Sequence, residues 1–545
     1  MLQWLRHYRR ALLPGDISAG IVVAMMMIPQ GMAYALVAGL PPVAGIYASI
    51  LPPVLYALFG TSSTQSVGPM AIISLMTASA LAPLALPGST LYIVLAAQLA
   101  LLAGAVLLAC GLLRIGFLAN FFSRPVMSGF TNGSAIVIAL GQVGALVGAG
   151  VPQVHWPSAL MGLSSLALLV LARQYLARLL RAVGLPAAAA DIGARLAPMV
   201  VVVGATVLAS VFDLAALGIR TTGEVPAGLP GLNLAFSNAH WQPLLQPALL
   251  IGFMIFLISM SGAQTLALKR AEKLKSNYEL VGLGAANLGS ALTGGLPVTG
   301  SISRSAVNFA AGANTQLASI IAAALLALAL VAPTGWLALL PLPTLAATIV
   351  VAVLGMLDLS TLRIAWRYDR ADALALLATA VGVLALGVEA GVVIGLVLSM
   401  GALIWRASRP HIAVLGRIPG TEHFRDIERH AADTVPGLLL LRIDGNLFFG
   451  NVEAVTEHIE DQLAAQPALR NLVLVLSAVN SIDSSALFGL AELNGMLRQR
   501  GIGLHLAEVK GPVLDRLKQS ELLGALNGNL FLSAAMASAA LADAT

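Results

Sequence analysis

Charged residues are scarce in this chain of 545 residues. They make up 10% of it, whereas soluble domains carry about 25%. Hydrophobic residues make up 58% of the chain, and its mean hydropathy is +0.89. This composition excludes an ordinary soluble protein and predicts a chain that lies largely in a lipid bilayer.

Cysteine is also nearly absent, since Cys110 is the only one in the sequence. One cysteine excludes an intrachain disulfide and a cysteine-based metal cluster. The net charge is +5, but the basic residues are scattered and lack interleaved aromatics, which gives no support to nucleic-acid binding. No catalytic triad, metal motif or nucleotide loop occurs in the apolar part, so we expect neither an enzyme nor a bound metal or cofactor.

Apolar windows long enough to cross a bilayer recur from about residue 16 to about residue 408, and we count fourteen. After them the charged residues return and the apolar segments shorten, as in a soluble domain. The first residues are basic and lack a cleavage site, which predicts a retained cytoplasmic anchor. The predicted parts are an N-terminal segment (1–15), spans 1–7 (16–216), an extracellular connection (217–247), spans 8–14 (248–408) and a cytoplasmic domain (412–545).

The distribution of basic residues agrees with this count, because cytoplasmic loops of membrane proteins are enriched in Lys and Arg. With the N-terminus inside, the basic clusters fall on one side of the membrane. We therefore expect a multi-pass protein of the inner (plasma) membrane with both termini cytoplasmic. The clusters are Arg114 and Arg124, Arg173 to Arg195, Lys269 to Lys275, Arg363 to Arg370, and Arg406 to Arg409.

Because seven is an odd number, seven spans per half place the second half in the membrane upside down relative to the first, as an inverted repeat. Ser66-Val-Gly-Pro69 opens the third span, and Val298-Thr-Gly-Ser301 opens the tenth. Both segments begin with small or helix-breaking residues, which predicts half-length helices that start near the middle of the membrane. Two such N-termini would present unpaired N–H groups and the positive ends of helix dipoles to an anion. The alternative is a pair of kinked helices packed against their neighbours.

Arg304 is the one charged residue that we find well inside a predicted span. A charge in that position costs about 2.5–3.5 kcal/mol, so it indicates a functional role, with hydrogen bonding to backbone carbonyls as the alternative. No carboxylate accompanies it near the midplane. The remaining acidic residues of this part are expected at span edges, among them Asp16, Asp213, Glu279 and Glu389.

Three ordered motifs resemble the SulP family, the sulfate permeases and related anion exchangers whose animal members include prestin and pendrin. In the first span they are Ile28-Pro-Gln-Gly-Met-Ala-Tyr34 and Ala38-Gly-Leu-Pro-Pro42. The entry to the third span carries Gly60-Thr-Ser62 and Ser66-Val-Gly-Pro69. The tenth carries Pro297-Val-Thr-Gly-Ser301 and Ser303-Arg-Ser-Ala-Val-Asn308.

The resemblance implies a 7+7 inverted repeat with core and gate domains, elevator-like alternating access and a homodimer. It also implies an anion site between spans 3 and 10. Interhelical hydrogen bonding is the alternative role for the two residues of the first span. Carried onto this sequence, the site residues are Gln30, Tyr34, Gly68, Pro69, Met70, Ala71, Gly300, Ser301, Ile302, Ser303 and Arg304.

Many members of that family carry an acidic residue in the eighth span, where this chain has Ile258. Sodium and proton symporters commonly bind the driving ion on such a carboxylate. The coupling therefore stays open between a proton, a sodium ion and none. The anion also stays open among sulfate, bicarbonate, a dicarboxylate and chloride.

The C-terminal part has strand patterns over 438–443 and 472–476 and helix patterns over 452–464 and 485–498, which predict an α/β sandwich. Ser481-Ile-Asp-Ser-Ser-Ala-Leu487 resembles the STAS domain. In that motif Asp483 and Ser484 can cap the helix, and the resemblance implies a regulatory role for Ser485. The whole chain is thus predicted to be an anion transporter, with an anion channel or an anion-binding sensor or motor as alternatives.

Overall fold

The structure is a computed structural model that describes residues 3–6, 8–117, 123–148, 155–214, 216–223, 225–233, 236–331 and 334–542. It contains two compact units, Met1–Ser399 and Met400–Thr545. Parts of the predicted N-terminal segment, of the connection 217–247 and of the C-terminal end lie outside the described residues. The boundary between the units falls inside a long helix, and the predicted domain limits stay predictions.

The first half of the membrane unit is helical, with a 3₁₀ turn (Arg10–Leu12) before its first long helix and a π-helical turn (Ala172–Leu176) joining two of the others. The helices are α1 (Gln3–Arg6), α2 (Leu13–Val37), α3 (Pro42–Tyr47), α4 (Leu51–Phe59), α5 (Ala71–Leu81), α6 (Thr90–Leu112), α7 (Arg124–Gly141), α8 (Val143–Val147), α9 (Trp156–Leu171), α10 (Ala177–Ala182), α11 (Ala187–Arg195) and α12 (Ala197–Val211).

The second half begins with a 3₁₀ turn (Asn238–His240). Its helices are α13 (Trp241–Arg270), α14 (Ser276–Leu292), α15 (Ile302–Ala310), α16 (Leu317–Val331), α17 (Gly335–Ala338), α18 (Leu342–Leu354), α19 (Ser360–Tyr368), α20 (Arg370–Leu386) and α21 (Val388–Ser408). A two-residue strand precedes one short helix in each half, β1 (Val67–Gly68) before α5 and β2 (Thr299–Gly300) before α15.

Seven helical stretches among the described residues are long and apolar enough to cross a membrane, three of them made of neighbouring helices (α3 with α4, α7 with α8, α9 with α10). The number is eight if the bent pair α11–α12 forms one span. Shorter apolar helices, such as α5, α16 and α18, lie between them. This confirms a helical membrane core, while the count of fourteen spans stays a prediction. At about 1.5 Å per residue, the 11 residues of α5 reach only about half-way through the hydrocarbon core.

Long helices from the two halves pack closely against each other. A Cβ atom on Gly104 of α6 would lie 2.9 Å from the carbonyl oxygen of Gly284 in α14, so only glycine allows this approach. Close backbone contact through small residues is typical of helix packing in membranes, where van der Waals contacts replace the hydrophobic effect.

Two fully buried carboxylates hold the non-helical segments next to α5 and α15. Glu279 Oε1 accepts hydrogen bonds from the backbone N–H groups of Thr61 (2.7 Å) and Ser62 (3.1 Å) and from the Thr61 hydroxyl, and Oε2 accepts one from the Tyr56 hydroxyl at 2.7 Å. Glu279 lies near the start of its helix, at the predicted span edge, but its complete burial was not predicted.

Asp16, near the start of α2, holds the segment that follows α15 through hydrogen bonds in the same way. It accepts hydrogen bonds from the backbone N–H groups of Asn314 (2.6 Å) and Thr315 (2.9 Å) and from the Thr315 hydroxyl (2.7 Å). The neighbouring Gln316 side chain then donates to the carbonyl oxygens of Ser62 (2.6 Å) and Gln65 (3.0 Å). The segments before α5 and after α15 are thereby bonded to each other.

The C-terminal unit contains a six-stranded sheet of order β4-β3-β5-β6-β7-β8. Strands β5 to β8 are parallel, and β3 is antiparallel to β4 and β5. The strands are β3 (His411–Arg417), β4 (Phe424–Asp426), β5 (Leu438–Asp444), β6 (Asn471–Val475), β7 (Gly503–Ala507) and β8 (Leu530–Phe531). The helices are α22 (Val452–Ala465), α23 (Ser484–Gln499), α24 (Gly511–Lys518), α25 (Leu522–Ala525) and α26 (Ala534–Ala542).

Separate hydrophobic clusters cover the two faces of this sheet, one with α22, α23 and α24 and the other with α26. This arrangement confirms the predicted α/β sandwich. The two predicted strands correspond to β5 and β6, and the two predicted helices to α22 and α23.

Replacing Glu279 by alanine tests the role of the buried carboxylates. The variant leaves two backbone N–H groups and two hydroxyls without their acceptor, and each buried unsatisfied group costs about 1–3 kcal/mol. We expect a clearly lower unfolding temperature of the detergent-solubilised protein in scanning fluorimetry. Tyr56→Phe removes one of these bonds and should have a smaller effect, whereas the exposed Glu422→Ala should have none. Equal stability of Glu279→Ala and the parent would contradict this role.

Candidate functional site

The two short helices of the membrane unit start next to each other because the strands before them pair. Strands β1 and β2 are antiparallel, with Val67 opposite Gly300 and Gly68 opposite Thr299. The backbone N–H of Ser301 donates to the carbonyl oxygen of Ser66 at 3.0 Å and extends the pairing. All of these residues are buried. The structure thus brings the predicted segments of spans 3 and 10 together.

The place where β1 and β2 pair and α5 and α15 begin is called the junction here. Both helices direct their positive N-terminal ends toward it. The residue before α5, Met70, provides no side-chain cap. The residue before α15, Ser301, accepts the N–H of Arg304 through its hydroxyl at 3.4 Å, and this hydroxyl lies 3.3 Å from that of Ser303. The first N–H groups of a helix have no partner within it and carry a partial positive charge. The junction can therefore supply hydrogen-bond donors to an anion.

Arg304 connects the two helices. Its side chain is 1% exposed, and Nη1 donates to the carbonyl oxygen of Pro69 at 2.8 Å. A Cβ atom on Gly68 would lie 3.1 Å from Nη2, so the guanidinium group lies against the backbone before α5. Both Nε and Nη2 are buried and lack a hydrogen-bond partner among the described residues. Two strong donors and a full positive charge are therefore available at the junction.

The other predicted site residues differ in exposure. The backbone segment 68–71 and Gly300 and Ser301 are buried, whereas Ile302 is 43% exposed and Ser303 is exposed. Tyr34 is buried in a cluster that includes Ala71, the first residue of α5. Gln30 lies one turn earlier on α2 and is half-buried. Segments 68–71 and 300–304 meet, and Tyr34 lies beside them.

Four polar residues at the junction were not predicted as site residues. The Gln65 amide nitrogen donates to the Ser259 hydroxyl, while its Oε1 is buried without a partner. The backbone N–H of Ser66 donates to the Ser305 hydroxyl at 2.9 Å. The only sequence signal for Gln65 is its position in a polar stretch just before the glycine of span 3. Its contact with Ser259, 194 residues away, has no local signal.

The position of Ile258 in the predicted eighth span has apolar surroundings in the structure. Ile258 is 4% exposed and belongs to the large hydrophobic cluster of the membrane unit. One turn later, Ser261 and Gln264 of α13 are exposed, and Gly262 lies against the side chain of Ile302. The helix next to α15 thus offers hydroxyl and amide groups here instead of a carboxylate.

The motif of the C-terminal unit forms a helix cap. Asp483 accepts hydrogen bonds from the backbone N–H groups of Ala486 (2.8 Å) and Phe449 (2.9 Å), which holds the pKa of its carboxyl below the usual range. Ser484 and Ser485 lie exposed in the first turn of α23. The regulatory role of Ser485 stays a prediction. No group of three or more metal-binding side chains occurs in the part of the chain that the structure describes.

Two known protein families match the two parts of this chain. The sequence profile of the Sulfate permease family matches residues 13–379, and that of the STAS domain matches residues 429–537. The chain belongs to the sulfate permease family. As a member it is a multi-pass membrane protein that transports anions, and it is not an enzyme.

Curated relatives of this sulfate permease family member match it over nearly its whole length. It is 37% identical over 537 residues to a probable sulfate transporter of Mycobacterium tuberculosis (strain H37Rv), covering 95% of this chain and 93% of the relative. It is 35% identical over 534 residues to the chloroplastic sulfate transporter 4.1 of Arabidopsis thaliana, covering 93% of this chain and 76% of the relative.

Two solved structures share the fold. The overall structure of SLC26A9 superposes with a TM-score of 0.89 at 22% identity, covering 100% of this chain and 92% of that one. The transmembrane domain of the cyanobacterial bicarbonate transporter BicA gives a TM-score of 0.59 at 22% identity, covering 72% and 99%. These likenesses establish the architecture of both units.

Gly300→Ala tests whether the geometry of the junction matters for transport. The new methyl group would overlap the Gln65 amide nitrogen and lie 2.8 Å from the Ser259 hydroxyl, so either these buried side chains or β2 would have to shift. Displacements of about 1 Å at a binding site can cost about 100-fold in rate, and we expect anion uptake into proteoliposomes to fall at least tenfold on that scale. At Gly252 of α13 the nearest atom would be 3.5 Å away, so Gly252→Ala should transport normally. Normal uptake by Gly300→Ala would contradict the proposed importance of this contact.

Proposed function

We propose that this chain carries sulfate, or a similarly small anion, across the membrane and binds it where α5 and α15 begin. The observation that carries this proposal is the Arg304 side chain, which is buried and has two nitrogens, Nε and Nη2, without a hydrogen-bond partner beside both helix starts. Sulfate is the first candidate because the curated relatives that match most of this chain are named as sulfate transporters. Bicarbonate, a dicarboxylate and chloride are the competitors to test against it.

The chemistry of the junction suits an oxyanion. Each oxygen of sulfate accepts several hydrogen bonds, and the junction offers the first backbone N–H groups of α5 and α15 together with the Arg304 guanidinium. In a site from which water is largely excluded, such fixed donors interact more strongly with an anion than water-exposed donors do. An anion would in turn compensate the buried positive charge of Arg304.

The tied segments around the junction favour alternating access by movement of a rigid body. Glu279 and Asp16 fix the segments before α5 and after α15, and Gln316 bonds these segments to each other. Neither short helix can move alone without breaking buried hydrogen bonds. We therefore propose that both short helices and the bound anion move together with α2 and α14, which carry Asp16 and Glu279, against the remaining helices of the membrane unit in an elevator-like manner.

The structure favours transport that does not require a sodium gradient. Ile258 replaces the expected carboxylate, and the two fully buried carboxylates, Asp16 and Glu279, are already engaged by several hydrogen-bond donors each. Neither presents an unused pair of oxygens beside Arg304. From the family resemblance and the basic loops we further propose a homodimer in the plasma membrane, with both termini in the cytoplasm.

Uptake of radiolabelled sulfate into proteoliposomes tests this function, with unlabelled bicarbonate, oxalate and chloride as competitors. Arg304→Ala removes two charge-assisted donors, each worth about 1.5–3 kcal/mol, so we expect uptake to fall by at least about tenfold. Arg304→Lys keeps the charge but not the planar donor pair, so its uptake should lie between that of the parent and that of Arg304→Ala. The exposed Arg363→Ala is the matched control and should transport like the parent.

The same assay separates the alternatives. Saturable uptake that is insensitive to a sodium gradient supports a carrier of the proposed kind, and a pH-gradient arm shows whether a proton accompanies the anion. Conduction that does not saturate would instead indicate a channel, and negligible turnover with intact binding would indicate a sensor. Unchanged uptake by Arg304→Ala would refute the proposed electrostatic role of the site.

A further inference from the structure

A second cluster of cationic side chains occurs in the C-terminal unit, in a cavity of about 210 Å³ at one edge of the sheet. Arg425 belongs to β4, and Arg429 follows it in the next turn. Arg442 lies near the end of β5, and His411 begins β3. Together with His430, these residues bring three guanidinium groups and two imidazoles to one small cavity.

Two aspartates in the cavity compensate part of this charge. Asp444 accepts a bidentate pair from Arg442 (Nε at 2.6 Å, Nη2 at 2.9 Å) and a contact from His411 Nδ1 at 3.0 Å, which lowers the pKa of its carboxyl. Asp426 lies 3.6 Å from Arg429 Nε. Among the residues that line the cavity, three arginines against two aspartates leave one positive charge in excess even with neutral histidines, while Glu508 acts on Arg442 from outside the lining.

Arg425 supplies the excess charge. Its Nη1 donates to the neutral carbonyl oxygen of Phe424 at 3.0 Å, and it forms no ion pair among the described residues. Both Arg425 and Arg429 are exposed. The Arg425 guanidinium can therefore turn toward an incoming anion without breaking an ion pair, whereas Arg429 stays beside the buried Asp426.

The cavity lies close to the end of the last membrane helix. Helix α21 ends at Ser408, three residues before His411, and an extended chain covers about 3.3 Å per residue. Asn451, which is buried, donates to the carbonyl oxygen of Ala407 at 3.1 Å and so bonds the domain to this helix end. Trp405 is 60% exposed, with the Arg409 guanidinium 4.3 Å from its ring centre. Exposed tryptophan and arginine at a helix end are typical of the level of the lipid headgroups.

We propose that this cavity binds a phosphate group, and its place beside the end of the last helix favours the headgroup of an anionic phospholipid as the source. Paired guanidinium groups suit the oxygens of a phosphate, because their N–H groups bind two oxygens at once. Basic clusters next to a membrane helix bind anionic lipids by the same attraction.

The test uses the full chain in neutral detergent, with phosphatidylglycerol or phosphatidylcholine added and bound lipid counted by native mass spectrometry. The double variant Arg425→Gln with Arg429→Gln should bind phosphatidylglycerol about fivefold more weakly for each arginine removed. Arg500→Gln, at an exposed arginine outside the cavity, should bind as the parent does. Asp426→Asn removes a negative charge but keeps an acceptor oxygen for the backbone N–H of Glu428, so it should strengthen binding.

Inorganic phosphate is the second probe and identifies the source of the phosphate group. Displacement of phosphatidylglycerol by inorganic phosphate in the parent, and not in the double variant, supports one phosphate site that a headgroup can occupy. Binding of inorganic phosphate without lipid, lost in the double variant, supports the site with a soluble phosphate as its ligand. The proposal is overturned if the double variant and Arg500→Gln bind both probes equally, or if Asp426→Asn weakens binding.

Discussion

A buried guanidinium group with two nitrogens that lack a hydrogen-bond partner is the feature on which the proposed site in the membrane unit depends. An arginine inside a membrane helix costs about 2.5–3.5 kcal/mol, and Arg304 recovers part of this through its bond to the Pro69 carbonyl oxygen. The positive ends of α5 and α15 lie at the same junction and do not reduce the excess positive charge. An anion would stabilise a site with this charge and these donors, which is why we propose that transported anions bind here.

Buried hydrogen bonds in the rest of the core fix the positions of the two helix starts. The two-residue pairing of β1 with β2 is too short to be stable by itself, and it lies among buried side-chain hydrogen bonds from both halves of the chain. Glu279, Asp16 and Gln316 fix the flanking segments, so the helix starts cannot separate independently. In the proposed elevator-like movement, the same bonds that position the donors would therefore make the two short helices move together with α2 and α14.

The class of protein, the two half-length helices and Arg304 could be predicted from the sequence, because hydropathy, helix-breaking residues and a lone charge are local signals. The strands and helices of the C-terminal domain that had clear periodicity were also predicted. The burial of Asp16 and Glu279 was not, because a carboxylate at a span edge has the same local pattern whether it faces water or a loop from the other half. The contact of Gln65 with Ser259 depends on the fold in the same way, and the count of fourteen spans and the residues that contact the anion stay predictions.

Protection of an engineered thiol tests the location of the anion site most directly. Ser303 is exposed in the first turn of α15, with its hydroxyl 3.3 Å from that of Ser301. In a Cys110→Ser background, Ser303→Cys should react with a water-soluble thiol reagent, and sulfate should slow this reaction in proportion to its occupancy. Ser485→Cys in the C-terminal domain should react at a rate that sulfate does not change. If sulfate leaves the rate at position 303 unchanged in a protein that still transports it, the anion does not bind between α5 and α15.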